Sequence, residues 1–374
     1  MNEPDATGGP DMTASLDRAP HPDTELGGGA DVSGPGSDHL PVLVRAAMPY
    51  ATAVTLAVAQ GNRTAVHCHG LTARGGEPCT PDTLYELGSV TKTFTALLLA
   101  AMAARGELSL DDPLERHLPP HWCPPGLRRG GPIRLLHLAT HTSGLPKLPP
   151  GLLATALPTW SSNPYVAFDD LRLRVGVART TVRHTPGTRY KYSNYGVGLL
   201  GRLLAETGRT SYAELLADRL HRPLGLHTTT CSPDAPHRAT GHRRGRPLQP
   251  WLIPGLPGAG DVRAGGADLL RFLRAHLSPG EGELGRALRD VQRPRLQLAR
   301  STDRLGLVWN LRGTADGRDL YFHSGATRGF TALVGFCPQT ETAVAALTNT
   351  GPALNGRFVQ SAYDILKQLT KPTD

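Results

Sequence analysis

The sequence predicts an α/β (α+β) fold: an antiparallel sheet built from N- and C-terminal strands and flanked by helices, with an all-helical lobe inserted between them. Three observations predict it. Strand-like apolar runs gather at the two ends of the chain, helical periodicity and proline-rich loops fill the middle, and 374 residues at 39% hydrophobic content suffice for one large core or two closely packed ones.

Taken in order, residues 1–40 are rich in Gly, Pro, Asp and Ser. They bury too little surface to offset their ordering entropy, and a disordered acidic tail is expected there. The apolar stretches Ala53–Ala59 and Thr64–His69, split by Gly61-Asn62-Arg63, read as a β-hairpin. After the break at Pro81-Asp82-Thr83, the segment Tyr85-Glu86-Leu87-Gly88 leads to Ser89. A helix over Val90–Arg105 follows, with Phe94, Leu97, Leu98 and Met102 at helical spacing and Gly106 as its stop. The middle holds helical stretches at Leu135–Thr140, Asn194–Thr207, Tyr212–Leu220 and Gly266–Leu277, and two long loops, Leu145–Pro164 and His237–Pro257. Strand-like runs return at Leu305–Leu311, Tyr321–Ser324, Phe330–Phe336 and Ala343–Thr348, before a helix over Gly356–Leu369. The expected division is a sheet lobe of about 41–115 and 300–374 and a helical lobe of about 116–299.

The net charge of +8 is unevenly spread, because residues 1–40 carry eight acids against the single base Arg18. The basic remainder is scattered arginine with only five lysines, which argues for a composition bias and against nucleic-acid binding. The arginines Arg238, Arg243, Arg244 and Arg246 read as a solvated loop at the rim of a cleft. Five cysteines fit no zinc or redox spacing, and no apolar run is long enough to span a bilayer. With no basic, apolar leader at residue 1, a cytoplasmic address with free thiols is expected. The pair His67/His69 lacks further ligands, and His137/His141 lacks the glutamate of a zinc hydrolase, so no metal and no cofactor are expected. A Gly-x-Ser-x-Gly elbow, a P-loop and a dinucleotide fingerprint are all missing from the sequence.

Three short segments carry chemistry. Ser89-Val90-Thr91-Lys92 puts a hydroxyl and an amine one helical turn apart at a helix start. There the unpaired N–H groups disfavour ammonium and favour an oxyanion, and burial in the apolar helix pushes the lysine the same way. Tyr192-Ser193-Asn194 follows a turn and opens a helix; residues two apart share a side of an extended segment, so phenol and amide face one cleft. His323-Ser324-Gly325 ends a strand, where a glycine lets substrate approach the strand edge and the Ala326 N–H can join that of Ser89 as an oxyanion pair.

These segments, in this order, resemble the serine β-lactamase and penicillin-binding-protein superfamily, and most of all its branch of class C β-lactamases, D-alanyl carboxypeptidases and esterases. The likeness extends to Leu84–Ala96, to Leu108–Leu114, to Leu138–Pro146 and to Pro186-Gly187-Thr188 through Asn194-Tyr195-Gly196. The resemblance implies that Ser89 is acylated, that Lys92 and Tyr192 manage its proton and that Asn194 positions substrate. It also implies that His323, Ser324 and Gly325 border the site and that Ala326 supplies an oxyanion amide. One departure stands out: many β-lactamases carry Lys where this chain has His323, a side chain only partly charged at neutral pH. This puts β-lactams in doubt and admits esters or amides, with Arg328, close in sequence, as a cation that could compensate. The expected activity is hydrolysis of a small-molecule or peptide ester, amide or lactam carbonyl through an acyl-enzyme, with no nucleic acid, membrane or obligatory protein partner. Acyl transfer to an amine or alcohol in specialised metabolism, and a non-catalytic binding role, remain as alternatives.

Overall fold

The computed structural model describes residues 34–299 and 301–371. Residues 1–33 of the expected acidic tail therefore lie outside the described residues. From residue 34 the chain is placed, and a helix absent from the sequence expectation, α1 (Leu40–Ala47), precedes the first strand.

The hairpin forms as expected, as β1 (Ala53–Gln60) and β2 (Arg63–Gly70) with Gln60 opposite Arg63 across a two-residue turn. Gly61 sits there at φ +55°, a left-handed conformation that glycine adopts without penalty. At the other end of the chain lie β3 (Leu296–Gln297), β4 (Arg304–Leu305), β5 (Asn310–Gly313), β6 (Asp319–Ala326), β7 (Thr331–Cys337) and β8 (Thr342–Thr348). Together they make one antiparallel sheet in the order β2-β1-β8-β7-β6-β5-β4-β3. The seam between the two chain ends is the β1–β8 ladder, which runs from Val54 opposite Thr348 to Gln60 opposite Thr342. The expected run Leu305–Leu311 is broken at Gly306–Trp309. Val308 there adopts φ +66° and donates its amide to Ala139 O at 2.9 Å, so this segment pairs with the helical region rather than with the sheet.

Side chains alternate across the sheet and both faces are covered. Val54, Leu56, Val58, Leu333, Val344 and Ala346 face α1 and the closing helix (Arg357–Leu369) through Leu43, Ala47, Phe358, Ala362 and Leu366. The opposite face is lined by small side chains, Ala57, Ala59, Ala343 and Ala345, which let a helix approach closely. That helix spans Gly266–Leu277, and a Cβ on Gly266 would lie 2.7 Å from Thr55 Cγ2. The expectation puts it in the inserted lobe; its apolar face instead belongs to the layer packed on the sheet, and the next helix, Gly282–Gln292, packs chiefly on the helix Thr91–Ala104.

Between this layer and the helical region runs α2 (Thr91–Ala104), buried from Thr91 through Met102. A helix apolar all round has no solvent face to offer, and this one contacts both sides: Phe94 stacks on Phe272 at 4.2 Å between centroids, while further contacts reach α3 (Asn194–Gly208). Among the described residues no helix is long and apolar enough to cross a membrane.

Two glycines fix the junction of α2 with the sheet. A Cβ on Gly325 of β6 would fall 2.1 Å from Leu87 O and 2.9 Å from Ser89 N, and one on Gly88, at φ +49°, 2.4 Å from Ala326 O. The space at Gly325 therefore admits the turn that carries Ser89, and this corrects the expectation that it is left open for substrate. Backbone cannot yield as a side-chain tip would, so Gly325→Ala is expected to cost about 3 kcal/mol, the upper range for overpacking. A denaturation midpoint unchanged from the parent protein would contradict it.

Candidate active site

Ser89 lies in a single 3-10 turn, Gly88–Val90, that runs straight into α2, so its side chain and that of Lys92 project from one face. Lys92 Nζ stands 2.9 Å from Ser89 Oγ and donates 2.8 Å to the carbonyl of Ala259. The Tyr192 hydroxyl donates to the same Oγ at 2.8 Å. Three polar tips from distant parts of the chain thus meet at one oxygen, on a Ser89 that stays partly open to solvent.

Burial sets their proton affinities apart. Lys92 is 0% exposed, and desolvation alone pulls it down to about 7. Desolvation pushes the Tyr192 phenol up to about 12, opposed by its bond to Ser89 and by the Lys147 charge. At neutral pH the amine is therefore partly free to accept a proton, while the phenol keeps its own.

Tyr192 is held by its neighbours. Ser193 caps α3, accepting from Gly196 N at 2.8 Å and donating to Pro146 O at 2.6 Å. His141, at φ +56°, accepts the Ser193 amide on Nδ1 at 3.2 Å and lays its ring 4.6 Å from the Tyr192 ring. Burial first, then the charge of Lys92, holds His141 well below the usual imidazole range, so it stays neutral.

Asn194, the first residue of α3, points its amide to the cleft, where Nδ2 donates to Tyr165 OH at 3.1 Å and the buried Oδ1 finds no partner among the described residues. An unpaired buried acceptor beside a nucleophile is a place for a substrate N–H.

His323, Ser324, Gly325 and Ala326 form the end of β6 next to Ser89. Strand β5 pairs only as far as Phe322, so among the described residues that edge of β6 has no partner strand from His323 onward. Ser324 and Ala326 are exposed along it. His323 differs from the expectation of partial charge. Burial, then Lys92, lowers it to about 3, and its Nδ1 contacts Ser324 O at 2.8 Å, so it is neutral at physiological pH. A Cβ on Gly88 would meet Ala326 N at 2.7 Å, so the turn that carries the Ser89 amide abuts the Ala326 amide.

The cleft in front of Ser89 measures about 290 Å³. Leu148, Leu152, Trp160, Trp251 and Ile253 make it largely apolar, and Lys147 and Arg328 are the charged residues lining it. Trp309, by contrast, is core. Arg328 lies over the Trp160 ring at 5.5 Å, which settles its direction. Within the His237–Pro257 loop, Arg243 reaches Ser161 O and Arg238 reaches Pro233 O.

Several supporting groups escaped the sequence. Glu86 accepts from Trp251 N at 2.6 Å and from Thr327 Oγ1 at 2.8 Å, and so ties two cleft walls to the turn carrying the nucleophile. Burial raises its pKa, against those two bonds and the charge of Arg263. Arg263 is itself fully buried, opposite Glu86 in a two-residue strand pair, and donates to the carbonyls of Cys231, Asp261 and Trp251. The sequence signal available was the position of Glu86 three residues before Ser89. His67 contacts Pro35 O at 3.1 Å, and among the described residues no group of three or more His, Cys, Asp or Glu side chains converges to hold a metal.

The family model described as Beta-lactamase matches residues 44–368. The Beta-lactamase of Escherichia coli (strain K12) is 30% identical over 332 residues, covering 78% of this chain and 82% of that protein. The D-alanyl-D-alanine-carboxypeptidase/endopeptidase AmpH of the same organism is 28% identical over 319 residues, covering 81% and 80%. The class C beta lactamase from Rhodobacter sphaeroides superposes with a TM-score of 0.74 at 25% identity, covering 90% of this chain and 99% of that one. A serine hydrolase built on the class C β-lactamase fold, this chain belongs to the beta-lactamase family.

Proposed function

We propose that the protein hydrolyses open-chain ester or amide carbonyls through a covalent acyl-enzyme on Ser89. The observation that carries this reading is the meeting of Lys92 Nζ and Tyr192 OH at Ser89 Oγ, at 2.9 and 2.8 Å.

Neutral Lys92 takes the Ser89 proton along their contact as Oγ attacks the carbonyl carbon. The carbonyl oxygen becomes an oxyanion against the Ser89 and Ala326 amides. Tyr192, still protonated, gives its proton to the departing oxygen or nitrogen and is recharged from Lys92. Water then enters by the reverse route, losing its proton to the same pair, and releases the acyl group. Asn194 receives a substrate N–H on Oδ1, and the apolar wall of Leu148, Leu152, Trp251 and Ile253 seats the acyl chain. Neutral His323 gives no fixed cation at the strand edge, which disfavours substrates that need a carboxylate paired there.

The test is intact-protein and peptide mass spectrometry after mixing with nitrophenyl esters, a D-alanyl amide and a chromogenic cephalosporin. An acyl mass on the Ser89 peptide, strongest for the esters, is expected. Turnover with the adduct on another residue, or with none on rapid quench, would end the reading.

A pH profile checks the proton route. The base must be uncharged to work, so kcat/KM for a neutral ester should rise with pH and reach half its plateau near 7, the value to which burial brings Lys92. Profiles from pH 5.5 to 9 that stay flat through 7 would rule Lys92 out as the base.

A further inference from the structure

A second hollow, of about 600 Å³, opens beside the Ser89 cleft and shares Thr327, Arg328 and Pro352 with it. Arg243, Arg244, Arg328 and Arg357 line it, and among the described residues no carboxylate does. Elsewhere arginines commonly meet acids, as Arg312 meets Asp303 and Arg202 meets Asp170 and Glu206. Among the described residues none of these four stands in an ion pair.

Two of the four are anchored without losing their charge. The Arg328 guanidinium rests on the Trp160 ring at 5.5 Å, and Arg243 donates to Ser161 O. Arg244 follows at φ +50°, at the turn of the short hairpin His242–Pro247. Burial and the charge of Arg243 both press against the protonated form of Arg328, so these two like charges repel here, and among the described residues no carboxylate lines the hollow to offset them. A single carboxylate offsets only part of that repulsion. A dianion with three acceptor oxygens matches several guanidinium forks at once.

We propose that this hollow is an anion subsite of the Ser89 cleft, which takes a dianionic phosphoryl or phosphonyl group carried by the substrate beyond its reacting carbonyl. The proposal rests on the acyl-enzyme reading and adds the substrate class to it. It also separates two tasks: the carbonyl reacts beside a neutral strand edge at His323, while the charge is held past Thr327.

The test compares nitrophenyl esters of phosphonoalkanoic acids of increasing chain length with neutral esters of matched length. At low salt, one length should exceed its neutral partner by about tenfold or more in kcat/KM, chiefly through KM, and the advantage should shrink at high salt. In Arg243→Gln/Arg244→Gln the ratio of charged to neutral ester should fall towards one, the neutral ester reporting the state of the active site in the same sample. Inorganic phosphate should compete with the charged ester. An effect of phosphate on the neutral ester without any preference for the charged one would point to a free effector and overturn a substrate subsite. So would the lack of a preference at every length, or a ratio unchanged in the double variant. Labelling of Ser89 by a fluorophosphonate in both proteins keeps the two ideas apart. With labelling intact, a missing preference defeats the subsite alone; without labelling, the acyl-enzyme reading falls and takes the subsite with it.

Discussion

Ser89→Ala is expected to lower kcat/KM for the best ester on the order of 10⁴-fold or more, and to abolish the acyl adduct, with little change in stability. The oxygen removed is the one that forms the covalent bond, and what survives is binding and the amides of the turn. The loss should be mainly in kcat. The fold should tolerate it, because Ser89 is partly exposed and its Oγ accepts from side chains without closing any backbone contact. Lys92 and Tyr192 lose one partner each; Lys92 keeps the Ala259 carbonyl. Steady-state kinetics and a denaturation curve on the same preparation check both halves. Activity above a hundredth of the parent value would remove Ser89 from the mechanism.

Lys92→Met should separate activity from stability in opposite directions. The folded protein holds Lys92 near 7 against 10.5 for a free lysine. Between those values the unfolded chain binds a proton that the folded one does not, so stability rises with pH across that window. Below about 7 the folded site is charged as well, and the full penalty of burying the amine remains. Methionine fills similar space without that penalty but strands the Ala259 carbonyl, which costs about 1–3 kcal/mol. The net expectation at pH 7 is a gain of about 2 kcal/mol, a flatter stability profile between pH 7 and 10.5, and a loss of activity on the order of 10³-fold. Urea denaturation at a series of pH values measures the first two. A destabilised variant, or an unaltered pH slope, would show that the lysine is not held under strain by its burial.

What was legible in the sequence follows the range over which each signal acts. The hairpin at Ala53–Gly70 shows because strand alternation and a two-residue turn are local. Ser89 and Lys92 show because one helical turn joins them inside an apolar helix. Tyr192 gained weight only alongside the other segments, since its distance to Ser89 depends on how α3 meets α2. The carbonyl of Ala259 has no side chain to announce it. Glu86 and Arg263 look like ordinary surface charges until the two-residue strand pair buries them opposite each other. His323 was misjudged in its charge because the sequence gives the imidazole but not its burial. The helix Gly266–Leu277 declared an apolar face but not which layer would receive it.

The seam between β1 and β8 has a consequence for biosynthesis. Val54 waits for Thr348, and the loop carrying Ser89 waits for Gly325, so neither can be seated while a ribosome is still adding the intervening residues. Such distant pairings make for a high contact order and slow closure. The nascent chain therefore carries Ser89 through most of translation without the strand edge that brings the Ala326 amide beside it.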